Sequence, residues 1–334
     1  MSPRRLLFTI GPALALLGVG LGLGEWSQRQ AEAKDGLSIP WDEPALKYEF
    51  APGGNQNSHG FNERELPLEK PAGTLRIAAL GDSVTHGAFV PNTQSWPRQL
   101  ENALNAQGMT VQALNFGVYG YDTESVAAQL RARVLAWKPD LVVYGFYVND
   151  PMPTELVTTD GRPVWVGTGP RDFRVFGPAL DSSLHGVSAL FRRFEGAAAA
   201  RAIEARDDRQ PLDWERFGAW LDTLKATAAG AGVPLVVVLI PPHVLAQPDL
   251  AACNAAARMG PHFCEENVEV LARAAAMTDA RGLSTVDGLA AYRAGGNVDL
   301  FGLPDDPHHP SAEGHRRLAA ALAPVVSPML AGQR

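Results

Sequence analysis

The sequence predicts a three-layer α/β/α domain in which helices cover both faces of a parallel five-stranded sheet, a flavodoxin-like arrangement. Strand-like and helix-like segments alternate from residue 75 to residue 330, and Leu235–Ile240 is an unbroken run of valine, leucine and isoleucine. The alternation is typical of parallel strands joined by helices, and a strand that is apolar on both faces is covered on both. Right-handed crossovers then bring the carboxyl ends of the strands to one edge of the sheet, where active sites form.

Each predicted strand is a short apolar run, and turn residues bound most of these runs. The first run leads directly into Gly81, and the second into Gly117. The predicted strands are Leu75–Leu80, Val111–Phe116, Leu141–Tyr147, Leu235–Ile240 and the weaker Gly282–Val286.

The predicted helices lie between and after these strands. Gly108 ends the first of them, since glycine is common just after a helix. The second ends before Pro139, because the residue that precedes a proline disfavours the helical conformation. Ser311 is the candidate N-cap of the last helix. The predicted helices are Ser95–Ala106, Glu124–Trp137, Trp214–Ala229, Glu265–Ala280 and Ser311–Val325.

The chain divides into three predicted regions. Residues 1–34 form an N-terminal targeting segment with a short linker, residues 35–73 a polar lead-in, and residues 74–330 the α/β domain. Residues 151–212 interrupt the alternation with a proline- and glycine-containing stretch followed by an arginine- and alanine-rich one. A connection of this length is either a functional insertion, such as a lid or a substrate-binding segment, or a surface loop.

The N-terminus carries a targeting signal. Arg4 and Arg5 precede an uncharged stretch from Leu6 to Gly24, which as a helix would reach about 28 Å, near the thickness of a bilayer core. It is either an uncleaved signal anchor or a signal peptide cut near Ala31-Glu32-Ala33. The flanking arginines place the rest of the chain outside the cytoplasm, on the periplasmic side in a bacterium, either membrane-anchored through the N-terminal helix or secreted.

Charge and cysteine content narrow the possible partners. The net charge is −7, and no cluster of lysine and arginine suggests a nucleic-acid-binding face. Cys253 and Cys264 are the two cysteines, and outside the cytoplasm they form either a local disulfide or two separate thiols. With one nearby histidine, His262, they do not make a zinc site. The sequence leaves the oligomeric state open.

Four polar segments follow predicted strands or precede the last helix, and they meet at the same predicted sheet edge. They are Gly81-Asp82-Ser83, Asn115–Gly120, Tyr147–Asp150 and Asp306–Pro310. Acyl transfer needs a hydroxyl made nucleophilic by a base, a carboxylate that orients the base, and donors for the oxyanion. Ser83 is the candidate nucleophile, His309 the base and Asp306 the orienting carboxylate. The candidate oxyanion donors are the Ser83 N–H, the Gly120 N–H and the Asn149 side-chain amide.

Together these blocks resemble those of the SGNH hydrolase superfamily, the GDSL-type esterases and lipases. Gly81-Asp82-Ser83 corresponds to block one, Asn115-x-Gly117-x-x-Gly120 to block two, and Asp306-x-x-His309-Pro310 to block five. Block three departs from the family pattern, because Tyr147 stands where a glycine usually precedes the Asn149 segment. The resemblance implies the SGNH fold and a serine hydrolase that needs no metal and no cofactor.

A further block precedes the domain. Asn57-Ser-x-Gly60-Phe61 resembles a lead-in found in some membrane-anchored members of the superfamily, in which an arginine often follows. In this chain, Asn62 stands at that position.

Several residues near these blocks have competing interpretations. Asp305 and His308 repeat the spacing of Asp306 and His309, although Pro310 favours His309 as the base. We expect Asp82 to brace the nucleophile loop and Asp150 to bind backbone N–H groups. His86 is either a substrate contact or an ordinary loop histidine. The aromatic residues that either line an acyl pocket or pack in the core are Trp96, Tyr119 and Tyr121.

The predicted function is hydrolysis of a short-chain or O-acetyl ester, carried by a small molecule or a glycan, through an acyl-serine intermediate. The same site would serve a polysaccharide O-acyltransferase, or a long-chain lipase or thioesterase. A non-catalytic binding protein is disfavoured because Ser83, Asp306 and His309 are all present.

Overall fold

The computed structural model divides into two compact units, one of residues 1–51 with 155–210 and one of residues 52–154 with 211–334. The predicted boundaries at residues 34 and 73 stay predictions. The structure describes residues 16–30, 37–38, 43–46, 48–50, 52–53, 56–152, 154–159, 162–167, 184, 188–191, 193–194, 212–294 and 306–333.

A five-stranded parallel sheet forms the centre of the second unit, and it confirms the predicted fold class. The strands lie side by side in the order β2-β1-β3-β4-β5. They are β1 (Leu75–Gly81), β2 (Val111–Asn115), β3 (Leu141–Tyr147), β4 (Leu235–Ile240) and β5 (Ser284–Asp287). Every residue of the three central strands is buried, as expected for strands that are apolar on both faces. The charged Arg76 of β1 is the exception in sequence, and it is buried as well.

Helices connect these strands. They are α1 (Ser83–His86), α2 (Trp96–Ala106), α3 (Thr123–Gln129), α4 (Trp214–Gly230), α5 (Leu250–Ala257), α6 (Phe263–Asp279), α7 (Gly288–Arg293) and α8 (Ala312–Ala331). Helix α2 packs against α8, and α3 packs against α4. The crossover from β1 to β2 runs in the opposite direction along the sheet from those that lead to β3 and β4. Right-handed connections therefore put the two helix pairs on opposite faces.

Two of the five predicted helices differ from the structure by more than two residues at one end. The segment predicted as one helix to Trp137 is α-helical only to Gln129, and a π turn at Leu130–Val134 and a 3₁₀ turn at Leu135–Trp137 complete it. The last helix was predicted to end at Val325, but α8 continues to Ala331 through two internal prolines. A proline removes one backbone donor, and here Val326 and Leu330 are fully buried, so packing holds the last turns in place. Helices α1, α5 and α7 were not predicted.

The two cysteines are bonded to each other. A disulfide joins Cys253 in α5 to Cys264 in α6. Asn254 supports the same junction, because its side-chain oxygen accepts a hydrogen bond from the Cys264 N–H at 2.9 Å. The sequence left open a local disulfide or two separate thiols, and the structure shows the disulfide.

Much of the predicted insertion at residues 151–212 lies outside the described residues. Its described part includes two short strands, Thr154–Thr159 and Arg162–Gly167, which pair with each other. The choice between a lid and a surface loop stays open.

The predicted membrane-anchoring segment is described only in its second half. Residues 16–30 are helical, and Glu25 within them accepts hydrogen bonds from the backbone N–H groups of Ala189 and Leu190 at 2.8 and 3.1 Å. Within the part of the chain that the structure describes, no helix has the length and apolar character needed to cross a membrane. Residues 1–15 lie outside that part, so the anchor stays a prediction.

Candidate active site

Ser83 is presented by the connection from β1 to α1. The chain leaves the buried strand at Gly81, and Asp82 caps the helix by accepting a hydrogen bond from the Val84 N–H at 2.9 Å. Ser83 is the first helical residue and is partly exposed, whereas Asp82 is buried. Because Asp82 is the N-cap, the capping role that serine often has is not needed from Ser83, and its hydroxyl is free to face a reacting group.

Three side chains form a continuous hydrogen-bonded chain. Ser83 Oγ lies 2.8 Å from His309 Nε2, and His309 Nδ1 lies 2.8 Å from Asp306 Oδ2. Since the carboxylate accepts from Nδ1–H, Nε2 is the unprotonated nitrogen and accepts from the serine hydroxyl. The structure thus brings together the three residues predicted for nucleophile, base and carboxylate, although 226 positions separate Ser83 from His309.

The loop that carries Asp306 is held from several directions. Asp306 Oδ1 accepts the backbone N–H groups of His308 and His309 at 2.8 and 3.2 Å. His243 Nε2 donates to the Asp306 carbonyl at 2.6 Å. Burial raises the pKa of Asp306, but the hydrogen bonds from His309 and from the backbone outweigh burial and leave the pKa well below its usual range. Asp306 is therefore ionised and oriented toward His309 at neutral pH.

Gly120 and Asn149 follow the two strands that flank β1 in the sheet, so they lie at the edge where Ser83 lies. Gly120 has a φ of +69°, a backbone conformation that favours glycine. Asn149 lies in the turn after β3, where its carbonyl accepts from the Met152 N–H at 2.8 Å. Gly120 and Asn149 thus share the edge with Ser83, whereas hydrogen bonds join Ser83, His309 and Asp306 directly.

Asp150 has the structural role expected for it. Its Oδ2 accepts a hydrogen bond from the Tyr147 backbone N–H at 3.1 Å and another from the Tyr144 hydroxyl. Burial, together with the nearby Asp82 carboxyl, raises the pKa of Asp150 well above its usual value. These contacts shape the turn that carries Asn149.

His308 contacts Tyr147 and Phe263. Its Nδ1 lies 2.9 Å from the Tyr147 hydroxyl, and its ring meets the ring of Phe263 edge-on at 5.6 Å. Burial lowers the pKa of His308 to about 4. Asp305, the carboxylate of the competing pair, lies outside the described residues. Of the two histidines, His309 is the one that reaches Ser83.

The other residues near the motifs differ in burial. Trp96 and Tyr121 are buried in the core, whereas Tyr119 is 37% exposed. His86 is also buried, with its ring against Tyr119 at 4.4 Å, and burial lowers its pKa to about 4. These observations favour a structural role for His86.

The lead-in supplies contacts that the motif analysis did not predict. The side-chain amide of Asn62 donates to the His86 carbonyl at 2.6 Å, and that of Asn115 donates to the same oxygen at 3.1 Å. Two asparagines thus bind the end of α1. The sequence block that ends at Phe61 indicated that this region resembles a family lead-in, but it gave no reason to expect a contact from Asn62.

Close packing around α1 depends on Gly117. A Cβ at this position would lie 2.2 Å from the His86 backbone nitrogen, far inside van der Waals contact. The glycine of the second block therefore lets the loop after β2 approach α1, the helix that begins at Ser83.

Comparison with known proteins assigns the family. Residues 79–317 match the model of the GDSL-like Lipase/Acylhydrolase family. An arylesterase from Vibrio mimicus is 31% identical over 88 residues, which are 25% of this chain and 44% of that protein. The matched part therefore spans less than half the length of this curated relative.

Two solved structures show what the chain is similar to in three dimensions. The lipase/acylhydrolase from Enterococcus faecalis is 18% identical with a TM-score of 0.46, and the match covers 76% of this chain and 96% of that one. A member of the lipolytic protein G-D-S-L family from Veillonella parvula DSM 2008 is 14% identical with a TM-score of 0.42, and the match covers 75% of this chain and 97% of that one. The family match over residues 79–317 confirms the resemblance drawn from the sequence blocks: this chain belongs to the GDSL-like Lipase/Acylhydrolase family.

Proposed function

We propose that this protein is a serine esterase that hydrolyses a short-chain or O-acetyl ester, carried by a small molecule or a glycan, through an acyl-enzyme intermediate. The observation that carries the proposal is the chain of two 2.8 Å contacts from Ser83 through His309 to Asp306. This arrangement matches the hydrogen-bonding order that serine hydrolases use on unrelated folds.

The chemistry follows from these contacts. His309 Nε2 takes the proton of Ser83 as Oγ attacks the ester carbonyl, and it then gives that proton to the departing alcohol. Asp306 keeps the proton on Nδ1 and stabilises the imidazolium that forms. Water, deprotonated by His309, then attacks the acyl-serine and releases the acid, with Ser83 regaining its proton.

The negative oxygen of each tetrahedral intermediate needs donors. We assign this role to the backbone N–H groups of Ser83 and Gly120 and to the Asn149 side-chain amide. This assignment is supported by the position of all three residues after the carboxyl ends of adjacent strands. Removing one such donor costs about 10²–10³-fold in kcat in other hydrolases.

The ester class rests on a separate observation. The relative from Vibrio mimicus is named an arylesterase, which supports an ester substrate and leaves the acyl chain to be measured. A series of p-nitrophenyl esters of increasing acyl length tests the short-chain assignment, and a preference for long chains would support a lipase or thioesterase. Product analysis with and without a glycan acceptor separates hydrolysis from acyl transfer.

The direct test is Ser83→Ala, measured with p-nitrophenyl acetate. We expect a loss of about 10⁴-fold or more in kcat, together with loss of labelling by a fluorophosphonate probe. Ser284→Ala, at an exposed position on β5, is the matched control and should behave as the wild type. Undiminished turnover in Ser83→Ala would refute the proposal.

We further propose that the enzyme acts outside the cytoplasm, attached through the segment Leu6 to Gly24 or released from it. The arginines before that segment and the disulfide between Cys253 and Cys264 support this location, because disulfides persist in oxidising compartments. Cell fractionation with an antibody to the protein tests it, and recovery in the cytoplasmic fraction would contradict it.

A further inference from the structure

Phe89 has a backbone conformation that its side chain disfavours. It is the third residue of a turn in which the Val90 N–H donates to the Gly87 carbonyl at 3.2 Å, and its φ is +66°. Glycine or asparagine usually occupies a turn position with positive φ. For a bulky residue such a conformation is a real outlier, and residues held this way cluster at functional sites.

Core packing does not account for this strain. The Phe89 side chain is 57% exposed, whereas Ala88, its neighbour in the turn, is buried. What the phenyl ring contacts is the base of the active site: its centroid lies 5.1 Å from that of the His309 ring, with the two planes at 87°. The turn therefore holds an exposed aromatic surface beside the base.

The position of the ring indicates which part of an ester it meets. His309 Nε2 must give its proton to the oxygen of the departing alcohol, so the alcohol part of the substrate passes next to His309. The acyl part remains bonded to Ser83 Oγ in the intermediate, on the other side of the carbonyl carbon. A ring that flanks His309 is therefore available to the alcohol part.

We infer that Phe89 is a specificity-determining residue that binds the alcohol part of the ester and favours alcohols with a flat ring face. Aromatic rings contribute favourable contacts of this kind through stacked or edge-on geometry. A phenol ring and a pyranose sugar ring both offer such a face. The inference rests on the proposed serine-esterase function.

The test compares acetate esters that differ only in the alcohol, using the full chain. The substrates are ethyl acetate, phenyl acetate and an acetylated methyl xylopyranoside, with ethyl butyrate and ethyl hexanoate as an acyl series. For Phe89→Gly we expect kcat/KM on the ring-bearing alcohols to fall about 3- to 10-fold more than on ethyl acetate. The ratios within the acyl series should stay unchanged, and Phe89→Tyr should keep the wild-type selectivity.

Lys138→Gly is the matched control. Lys138 also has a positive φ, of +53°, but it precedes β3 and so lies at the opposite edge of the sheet. Both glycine variants relieve backbone strain and should raise the Tm, and only Phe89→Gly should change the alcohol selectivity. A lower Tm in Phe89→Gly would mean that the ring supports the fold, and it would overturn the inference.

The outcomes separate this inference from the function on which it rests. Equal turnover by wild type and Ser83→Ala would refute the esterase mechanism itself. If the wild type is active, an equal loss on every ester in Phe89→Gly would mean that the ring only positions His309, and the specificity role is refuted. Selective loss on phenyl acetate identifies an aryl alcohol, and selective loss on the xylopyranoside identifies a sugar.

Discussion

Replacing Tyr147 with phenylalanine removes a single hydroxyl that contacts the loop of the proposed catalytic base, and we expect it to lower both stability and turnover. The hydroxyl lies 2.9 Å from His308 Nδ1 and 3.4 Å from the His308 carbonyl. His308 immediately precedes His309 in the chain. Tyr147 is also the residue that stands where the family usually has glycine, so this contact belongs to this chain in particular.

The size of the effect follows from these contacts. A neutral hydrogen bond contributes about 1 kcal/mol to stability, and leaving a buried partner unpaired raises the loss toward 3 kcal/mol. His308 is only partly buried, so water can replace some of the contact, and we expect about 1 kcal/mol. If the whole of this free energy stabilises the loop in the conformation that turnover requires, its loss raises the activation free energy by the same amount, and kcat drops about fivefold. The hydrogen bonds of Asp306 and His243 still hold the loop, and so this value is an upper bound.

Thermal unfolding and the hydrolysis of p-nitrophenyl acetate measure the two effects. We expect the Tm to fall by about 2–4 °C and kcat to fall with little change in KM. Tyr292→Phe is the matched control, because Tyr292 is fully buried and its hydroxyl has no hydrogen-bond partner among the described residues. Wild-type kcat and Tm in Tyr147→Phe would show that the contact with His308 contributes nothing, and the argument would fail.

Three further variants test other parts of the structure. Asp306→Asn should lower kcat by about 10³–10⁴-fold. The amide oxygen is needed by the two backbone N–H groups that now bind Oδ1, so the NH₂ group would face His309 Nδ1 and donate to it, which favours the wrong tautomer; a smaller effect than tenfold would argue against the orienting role. Glu63→Gln removes a carboxyl group whose side chain is 4% exposed and paired with Arg98. Burial raises the pKa of Glu63 to about 7, and Arg98 keeps Glu101 as a partner at 2.8 Å, so denaturant unfolding at neutral pH should show a loss of about 1 kcal/mol; an unchanged midpoint would contradict this. Burial lowers the pKa of His315 from 6.5 to about 3, so as pH falls through this range the unfolded chain binds a proton that the folded chain does not, and stability is lost. His315→Gln should flatten the dependence of Tm on pH between about 6.5 and 4, and identical slopes in variant and wild type would contradict the assignment.

The central strands were predictable because burial on both faces leaves a simple pattern. The predicted bounds of β3 and β4 agree with the structure at both ends, and β1 is longer by Gly81 alone. The end of α8 was not predictable in this way. Prolines 324 and 328 normally end a helix, and only its packing within the domain shows that the helix continues.

Some residues of the candidate site were likewise predictable from the sequence, and others were not. The spacing of Asp306 and His309, and the turn before Ser83, mark these residues in the sequence, because a carboxylate three positions before a histidine can reach its ring. Asn62 carries no such mark, since its role depends on where the His86 carbonyl lies after folding. Phe89 is likewise an ordinary loop residue until its backbone angle and its contact with His309 are known.

By itself, the sequence determined the alternation of strands and helices, the family, and the residue types that acyl transfer requires at one edge of the sheet. These properties follow from local patterns of apolar and polar residues, which the chain carries before it folds. Only the tertiary structure decided that His309 is the histidine that reaches Ser83. It alone shows that the Tyr147 hydroxyl contacts His308 and that the Phe89 ring packs beside the His309 ring. Such contacts join residues far apart in the chain, and their distances depend on how the loops pack after the sheet has formed.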